Sequence, residues 1–521
     1  MARTPENAEA APRNAAAASA ETTGSEANGG TPTGRRVRLP GSRRFTPSTV
    51  VFLALVTICL CLTATVLFAD LERLTVGLLV LFLTVLLLLC GVHVAAAMAL
   101  GGLLGIWKIS GAVGVEHSLS TIPHTSVASW SLTVIPMFVL MGVVLHRTGI
   151  TAQLFDAARQ WLGKMPGGLA VATNFSGAGL AAVSGSTIAI SFALGRVAIP
   201  EMIRARYSPS LATGVVAMSG TLGQIIPPSV IMVIYAGVAQ TPVGPQLLAG
   251  VVPGVLLAVL FGLMITARAT VNRDLAPPAD TSTFTLATRM RSLATVWPLP
   301  ALMVVVIGSM YIGVTTATEA GALGALGAIL LGVWTGRRDG IRSIAASLVR
   351  SLGETVAAVA AIMLLVISVH ILTTLIALSR LAQEVAGFIA DLGLGRVGLL
   401  LGLIVLYFVL GMFMDTLAML LLTTPILIPV LESVNVDLIW FGVFAVLMAE
   451  IAMVTPPVGV LSFIVHGLAQ NKDVNLGTKI SLADVFRGIS WFVAVALALV
   501  VLLIFVPDLA LWLPNSSGAS E

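Results

Sequence analysis

The sequence predicts an all-α polytopic membrane protein made of two copies of one unit, each carrying a helical hairpin and a proline-broken helix. Composition is the first observation. Of 521 residues 57% are hydrophobic and only 10% charged, with a mean hydropathy of +1.01, which excludes a soluble globule. The second is the length of the apolar runs, mostly about 17 to 25 residues, which suits helices rather than the roughly ten-residue alternating segments of a membrane barrel. The third is a repeat: Ser186–Pro228 recurs as Asp415–Pro457, offset by 229 positions without a gap. Thr187, Ala189, Ile199, Pro200, Pro227 and Pro228 map onto Thr416, Ala418, Ile428, Pro429, Pro456 and Pro457. Matched, broken hydrophobic segments in two halves of a chain point to a transport site.

Charge and special residues narrow the class further. The net charge of +4 is small and scattered between apolar runs, so it fits cytoplasmic loops and gives no nucleic-acid surface. Cys59, Cys61 and Cys90 all lie in apolar runs, and the six histidines are dispersed. Neither a disulfide framework nor a transition-metal site is expected. Metal-binding and nucleophile clusters of an enzyme are missing, so the chain is not expected to be one.

Along the chain, residues 1–47 are rich in Ala, Thr, Gly, Pro and Glu and end near Arg35, Arg36, Arg38, Arg43 and Arg44. They predict a disordered cytoplasmic tail, followed by one membrane helix over 48–70. A long apolar run from Val76 to Ile106 passes back through the bilayer as one tilted or bent helix, and Trp130–Leu145 forms another span. Thr151–Lys164 sets Leu154, Phe155, Ala158, Trp161 and Leu162 on one helical face, the pattern of an interfacial helix. Arg380–Leu392 is its counterpart before the second copy.

Gly167–Val183 and Thr187–Met202 are joined only at Ser184-Gly185-Ser186, too short for an ordinary loop, so they predict a hairpin. Leu211–Leu222 and Val230–Val238 are half-length helices around Gly223–Ser229. The second copy repeats this with a hairpin turning near Gly411–Asp415 and half-helices Phe441–Ile451 and Val460–Leu468. Spans near Gly250–Ile265, Leu299–Gly313, Ala320–Trp334 and Ala357–Leu378 lie between the copies, with a polar linker over Arg268–Arg291. Val493–Trp512 closes the membrane part.

The broken helices supply the chemistry. Proline donates no backbone hydrogen bond, so Pro227 and Pro228 free the carbonyls of Gly223 and Gln224, and Pro456 and Pro457 those of Ala452 and Met453. In a bilayer such carbonyls must meet protein, water or an ion, and a hard cation such as sodium favours oxygen ligands. The sodium-binding set is Ser184, Gly185, Ser186, Gly220, Thr221, Gly223 and Pro227 at one break. At the other it is Gly411, Asp415, Thr416, Ala452, Thr455, Pro456 and Gly459. Helices starting near Thr187, Ser229, Thr416 and Val458 point positive ends into the gap and favour an anionic substrate. Its contacts are assigned to Ser186, Thr187, Ser229, Asp415, Thr416 and Pro457.

Asp415 and Glu450 lie in apolar surroundings, where a functional carboxylate and one paired to backbone amides both fit. Glu319, after three threonines, suits a helix start; His370 and His466 suit packing. Arg196 is left with three roles: snorkelling, pairing or assisting an anion.

At these residues the chain resembles the large membrane subunit, the DctM-type M subunit, of the tripartite ATP-independent periplasmic (TRAP) transporters. The resemblance runs from about Leu79 to Leu513. It rests on Ser184-Gly185-Ser186-Thr187, Ala198-Ile199-Pro200-Glu201-Met202, Ser219-Gly220-Thr221-Leu222-Gly223 with Ile226-Pro227-Pro228-Ser229, Gly411-Met412-Phe413-Met414-Asp415, and Glu450-Ile451 with Thr455-Pro456-Pro457-Val458-Gly459. Ala317, Ala452 and Leu461 depart from the family's usual proline, glycine and asparagine.

The resemblance implies inverted repeats and an elevator-type transporter of the ion transporter superfamily. It divides the chain into a first repeat over 71–292, a second over 293–513, each with scaffold helices, arm helix, hairpin and broken helix, and a tail over 514–521. It implies sodium-coupled import of an organic acid, typically a carboxylate, in the bacterial inner membrane, with Na+ as coupling ion and no cofactor. The implied partners are a small four-helix membrane subunit of the DctQ type and a periplasmic substrate-binding protein of the DctP type. A single span in residues 1–69 predicts that the small subunit is a separate chain. The alternative is a stand-alone cation-coupled organic anion symporter.

Overall fold

Helix α1 (Pro47–Phe68) opens the computed structural model, which describes residues 47–277, 285–337 and 340–517 and contains only helices among them. The expected tail of residues 1–47 lies outside the described residues up to position 46. The described residues from Phe52 onward form one compact unit. Among the described residues seven helices are long and apolar enough to cross a membrane, or eight with one bent pair counted as a span.

The run from Val76 to Ile106 is not one helix, as expected, but two, α2 (Arg73–Leu89) and α3 (Val94–Val127), packed side by side. A helix of that length would span about 46 Å, longer than a hydrocarbon core of about 30 Å, and the chain reverses at Gly91 and His93. After a short 3-10 turn come α4 (Val134–Arg147) and α5 (Ile150–Leu162), the amphipathic segment anticipated from its sequence. Helix α5 packs on α6 (Gly168–Ser184), the first limb of a hairpin completed by α7 (Thr187–Arg204). The broken helix is α8 (Pro209–Thr221), one 3-10 turn, and α9 (Val230–Ala239); α10 (Val243–Val271) closes the first copy.

The linker expected over Arg268–Arg291 holds the start of a further helix, α11 (Leu286–Val296), beside the arm α5. Helices α12 (Pro298–Tyr311), α13 (Ala317–Gly336) and α14 (Ile341–Ser379) follow. Helix α13 starts with a capping box in which Thr316 and Glu319 satisfy each other's backbone N–H groups, the structural role expected of Glu319. Helix α14 begins sixteen residues before the apolar run at Ala357, because Ser343, Ser347, Ser351 and Glu354 lower the hydropathy of its first turns.

The arm α15 (Leu381–Asp391), the hairpin α16 (Arg396–Gly411) and α17 (Thr416–Ser433), and the broken helix α18 (Leu438–Val454) and α19 (Val460–Ala469) then repeat the first copy. A four-residue turn, α20 (Lys472–Asn475), leads to α21 (Leu482–Phe505). The closing span ends at Phe505, and α22 (Asp508–Ser516) is separate, reaching into the tail expected from 514.

Packing shows how the copies are related. Helix α3 lies on α14 while α13 lies on α4, and α9 meets α17 while α19 meets α7, so each contact has its exchanged partner. Five crossings (α2, α3, α4, α8–α9 and α10) separate the start of α2 from that of α12, and an odd number places the equivalent helices upside down. The copies are inverted.

Two groups of helices emerge. Helices α2, α3, α4, α12, α13 and α14 pack chiefly on one another, and the hairpins and broken helices pack with α10 and α21. The core sits in the second group. From Trp440 to Val454, α18 is buried all round, as a sequence apolar but for Glu450 requires, and α8 is buried from Leu211 onward.

Candidate functional site

The hairpin tips are seated on the breaks. At the first, Gly185 adopts a left-handed conformation (φ +53°) and faces the Pro228 carbonyl, where a Cβ would lie 3.2 Å from the oxygen. At the second, a methyl group on Gly411 would overlap Ala452. The sequence-predicted residues thus gather as two clusters, each joining a tip to the broken helix of its own copy. Both breaks contain a cis bond, Pro227–Pro228 and Pro456–Pro457. The side chain of Ser184 lies outside the described residues.

Three of the predicted ligands also cap helices. Ser186 accepts the Ala189 N–H of α7 at 3.4 Å, Ser229 the Met232 N–H of α9 at 3.2 Å, and Asp415 the Ala418 N–H of α17 at 3.1 Å. Each satisfies one of the orphan donors of a helix start. Two of the carbonyls expected to be open, those of Gln224 and Ala452, and two neighbouring ones are answered from within the chain. Ser229 Oγ donates to Gln224 O, Thr455 Oγ1 to Ala452 O at 2.8 Å and Ser462 Oγ to Val454 O at 2.8 Å. Thr221 Oγ1 likewise donates to Met218 O at 2.7 Å.

Between the clusters sits Glu450, which is buried on α18. Thr187 Oγ1, at the tip of the first hairpin, donates to its Oε2 at 2.8 Å; Thr416 Oγ1, at the tip of the second, donates to its Oε1 at 3.1 Å. One carboxylate therefore accepts from both hairpins. The sequence marked Glu450 as a costly carboxylate but not as the junction, because a contact across 263 positions leaves no local pattern.

A cavity of about 400 Å³ opens beside the first tip. Gly185, Ser186, Ala189, Gln224, Val230, Ile231 and Leu417 line one wall; Val139, Gly142, Val143 and His146 of α4 with Glu354, Ala358 and Ile362 of α14 line the other. It therefore lies where the two groups of helices meet. The N-terminal ends of α7, α9 and α17 all contribute to it, so partial positive charge converges there. At its rim Glu354 forms an ion pair with Arg147 of α4.

Of the predicted substrate contacts, Ser186 lines this cavity, whereas Asp415 and Pro457 are not among its lining residues. Thr187 and Thr416 are buried against Glu450 instead. The breaks also differ: Pro227 and Pro228 are buried, while Pro456 and Pro457 are exposed. Sequence reasoning passed over Gln224, His146 and Glu354 as site residues. The polar residues on α14 below Ala358 were the only sequence signal for the far wall. Arg196 is exposed and lies over the Phe192 ring at 4.6 Å, away from the cavity lining. His370 and His466 make local contacts, to Val366 O at 2.9 Å and Gln470 at 3.0 Å, as expected of packed residues.

Comparison with known proteins agrees with this architecture. Residues 79–509 match the family described as "Tripartite ATP-independent periplasmic transporter, DctM component". The chain is 32% identical over 391 residues to the C4-dicarboxylate TRAP transporter large permease protein DctM of Pseudomonas aeruginosa, covering 75% of this chain and 88% of that protein. It is 28% identical over 429 residues to the ectoine TRAP transporter large permease protein TeaC of Halomonas elongata, covering 82% and 96%. Among solved structures, the fold is similar to the YdaH transporter of Alcanivorax borkumensis (TM-score 0.56, 15% identity, covering 76% of this chain and 89% of that one). It is similar also to MtrF of Neisseria gonorrhoeae (TM-score 0.57, 13% identity, 85% and 98%). With the family matched over most of its length and the paired hairpins and broken helices in place, the chain is a member of the TRAP transporter large-permease family, the DctM component.

Proposed function

We propose that this permease imports an organic acid by sodium-coupled secondary transport, moving the hairpins and broken helices as an elevator against α2–α4 and α12–α14. The observation that carries the reading is the place of the cavity: one wall belongs to the hairpin group and the other to α4 and α14. Sliding one group past the other would carry a ligand held at Ser186 from one side to the other. Convergent helix N-termini favour an anion there, and the tip–break clusters supply the oxygen-rich surroundings that sodium requires.

Orientation in the bacterial inner membrane follows from charge. Counting crossings, the helix ends bearing Arg147, Arg204, Arg268, Arg291, Arg337 and Arg487 share one side, whereas Arg73, Arg380 and Arg396 lie on the other. The richer side is the cytoplasmic one. The cavity rim at Arg147 then faces the cytoplasm, an inward-facing state. Delivery from the periplasm falls to a soluble binding protein, and a small four-helix membrane subunit completes the assembly, as in tripartite systems.

Reconstitution of the chain with both partners in liposomes tests this reading. Uptake of an organic acid should require an inward sodium gradient and the binding protein. Uptake indifferent to sodium removes the coupling claim, and uptake without the binding protein would point to a stand-alone symporter.

A further inference from the structure

We infer that Gln224 is a specificity-determining residue, and that the acid this permease carries bears a hydrogen-bond donor, a hydroxyl or an ammonium group, in addition to its anionic group. The inference rests on the proposed reading of the cavity as the substrate site. Gln224 is only 7% exposed and lines that cavity beside Ser186. Its backbone is fixed, because its carbonyl accepts from Ser229 Oγ. Its side-chain Oε1, however, is buried and has no hydrogen-bond partner.

A buried amide oxygen left unmatched costs about 1 to 3 kcal/mol, a cost removed when a ligand brings a donor to it. Most of the remaining lining on that wall (Ala189, Val230, Ile231 and Leu417) offers no side-chain acceptor. A dicarboxylate without other polar groups would put only acceptors into the cavity and leave Oε1 unmatched. A hydroxy or amino acid gives its carboxylate to the helix N-termini and its O–H or N–H to Gln224. Sodium is the other partner such an oxygen can take, and the two are separated by whether Gln224→Leu changes the acid preference or the sodium requirement.

Sites built to hydrogen-bond one group reject the analogue lacking it far more strongly than apolar pockets reject a missing methylene. The test uses matched acids that differ only in hydroxylation (lactate and propionate, malate and succinate, gluconate and hexanoate). Each is titrated against the purified full chain in saturating sodium, with thermal stabilisation as the readout. At least one hydroxy acid should bind about tenfold or more tightly than its partner. Gln224→Leu should narrow that gap to less than about threefold without lowering the melting temperature of the ligand-free protein, since it removes an unsatisfied polar group. Gln224→Glu, which keeps an acceptor at the same reach, should retain part of the preference.

Equal binding of both members of every pair that binds would overturn the inference while leaving the organic-acid reading intact. So would a Gln224→Leu protein whose change lies in the half-saturating sodium concentration rather than in the acid preference. Failure of every acid to stabilise the wild-type chain in sodium would instead sink the organic-acid reading itself.

Discussion

Thr187 and Glu450, 263 positions apart, meet at 2.8 Å, with the hydroxyl at the first hairpin tip donating to a carboxylate in the broken helix of the other copy. Thr416 occupies the second oxygen of the same carboxylate at 3.1 Å. The two tips are thus held in register by one side chain, which gives the inverted copies a shared reference point at the centre of the site.

Removing that shared acceptor should be costly. A buried polar group left without its partner costs about 1 to 3 kcal/mol, so Glu450→Ala, which strands both threonine hydroxyls, and Thr187→Val, which leaves Oε2 without its donor, should each destabilise by about that amount. In a double-mutant cycle measured by thermal unfolding in detergent, the pair should show a coupling energy of about 0.5 kcal/mol or more. Additive losses would mean that the contact carries no coupling.

Asp415 caps α17 through the Ala418 N–H at 3.1 Å, and asparagine caps a helix about as well as aspartate. Asp415→Asn therefore removes charge while keeping the local fold. The half-saturating sodium concentration for uptake should rise by about tenfold, the effect of roughly 1.4 kcal/mol, and Ser186→Ala should have the smaller effect. A larger loss from Ser186→Ala would show that charge at the second tip is not what holds the ion.

Hairpin 2 offers a paired packing test. A methyl group at Gly411 would overlap Ala452, so Gly411→Ala should cost about 1 to 3 kcal/mol through overpacking and should slow uptake. On the same helix nothing lies within 4 Å of a Cβ at Gly402. Gly402→Ala should be stabilising by about 0.5 to 1 kcal/mol from helix propensity alone, as thermal unfolding would show.

The arm contact should matter much less for stability. Glu201 pairs with Arg159 of α5 at 3.1 Å and with Arg204 at 2.6 Å, in partly exposed positions. Such pairs contribute about 0.2 to 1 kcal/mol and weaken with salt, so Glu201→Gln should shift unfolding by no more than about 1 kcal/mol, and by less at high ionic strength.

Much of this fold was legible because membrane helices announce themselves locally. Both hairpins, both broken helices and both arms follow from run length, proline position and one-sided periodicity. The split at Gly91–His93 was hidden because only Gly91 and His93 interrupt an otherwise continuous apolar run. The early start of α14 was hidden for the opposite reason: its polar first turns carry Ser343, Ser347 and Ser351, which line a cavity shared with α4 and α13.

At the site, sequence identified the polar residues of both tips, and the structure adds that Ser186, Ser229 and Asp415 also cap helices. A cap and a ligand share the same chemistry, an oxygen at a helix start, and one side chain can serve as both. Glu354 escaped because a lone polar residue within a helix has no distinguishing pattern, and Gln224 stood out only for its backbone carbonyl. Their position is set by a cavity wall assembled from both copies.

The motion of the hairpin group against α14 is open to direct measurement. Ser186 and Ala358 line opposite walls of the cavity. With Cys59, Cys61 and Cys90 replaced, a Ser186→Cys/Ala358→Cys protein joined by a short bifunctional thiol reagent, and reconstituted with both partners, should lose sodium-driven uptake. Reducible cleavage of the link should restore it, and each single-cysteine protein treated alike should continue to transport. Undiminished uptake by the fully cross-linked protein would contradict an elevator that moves hairpin 1 past α14.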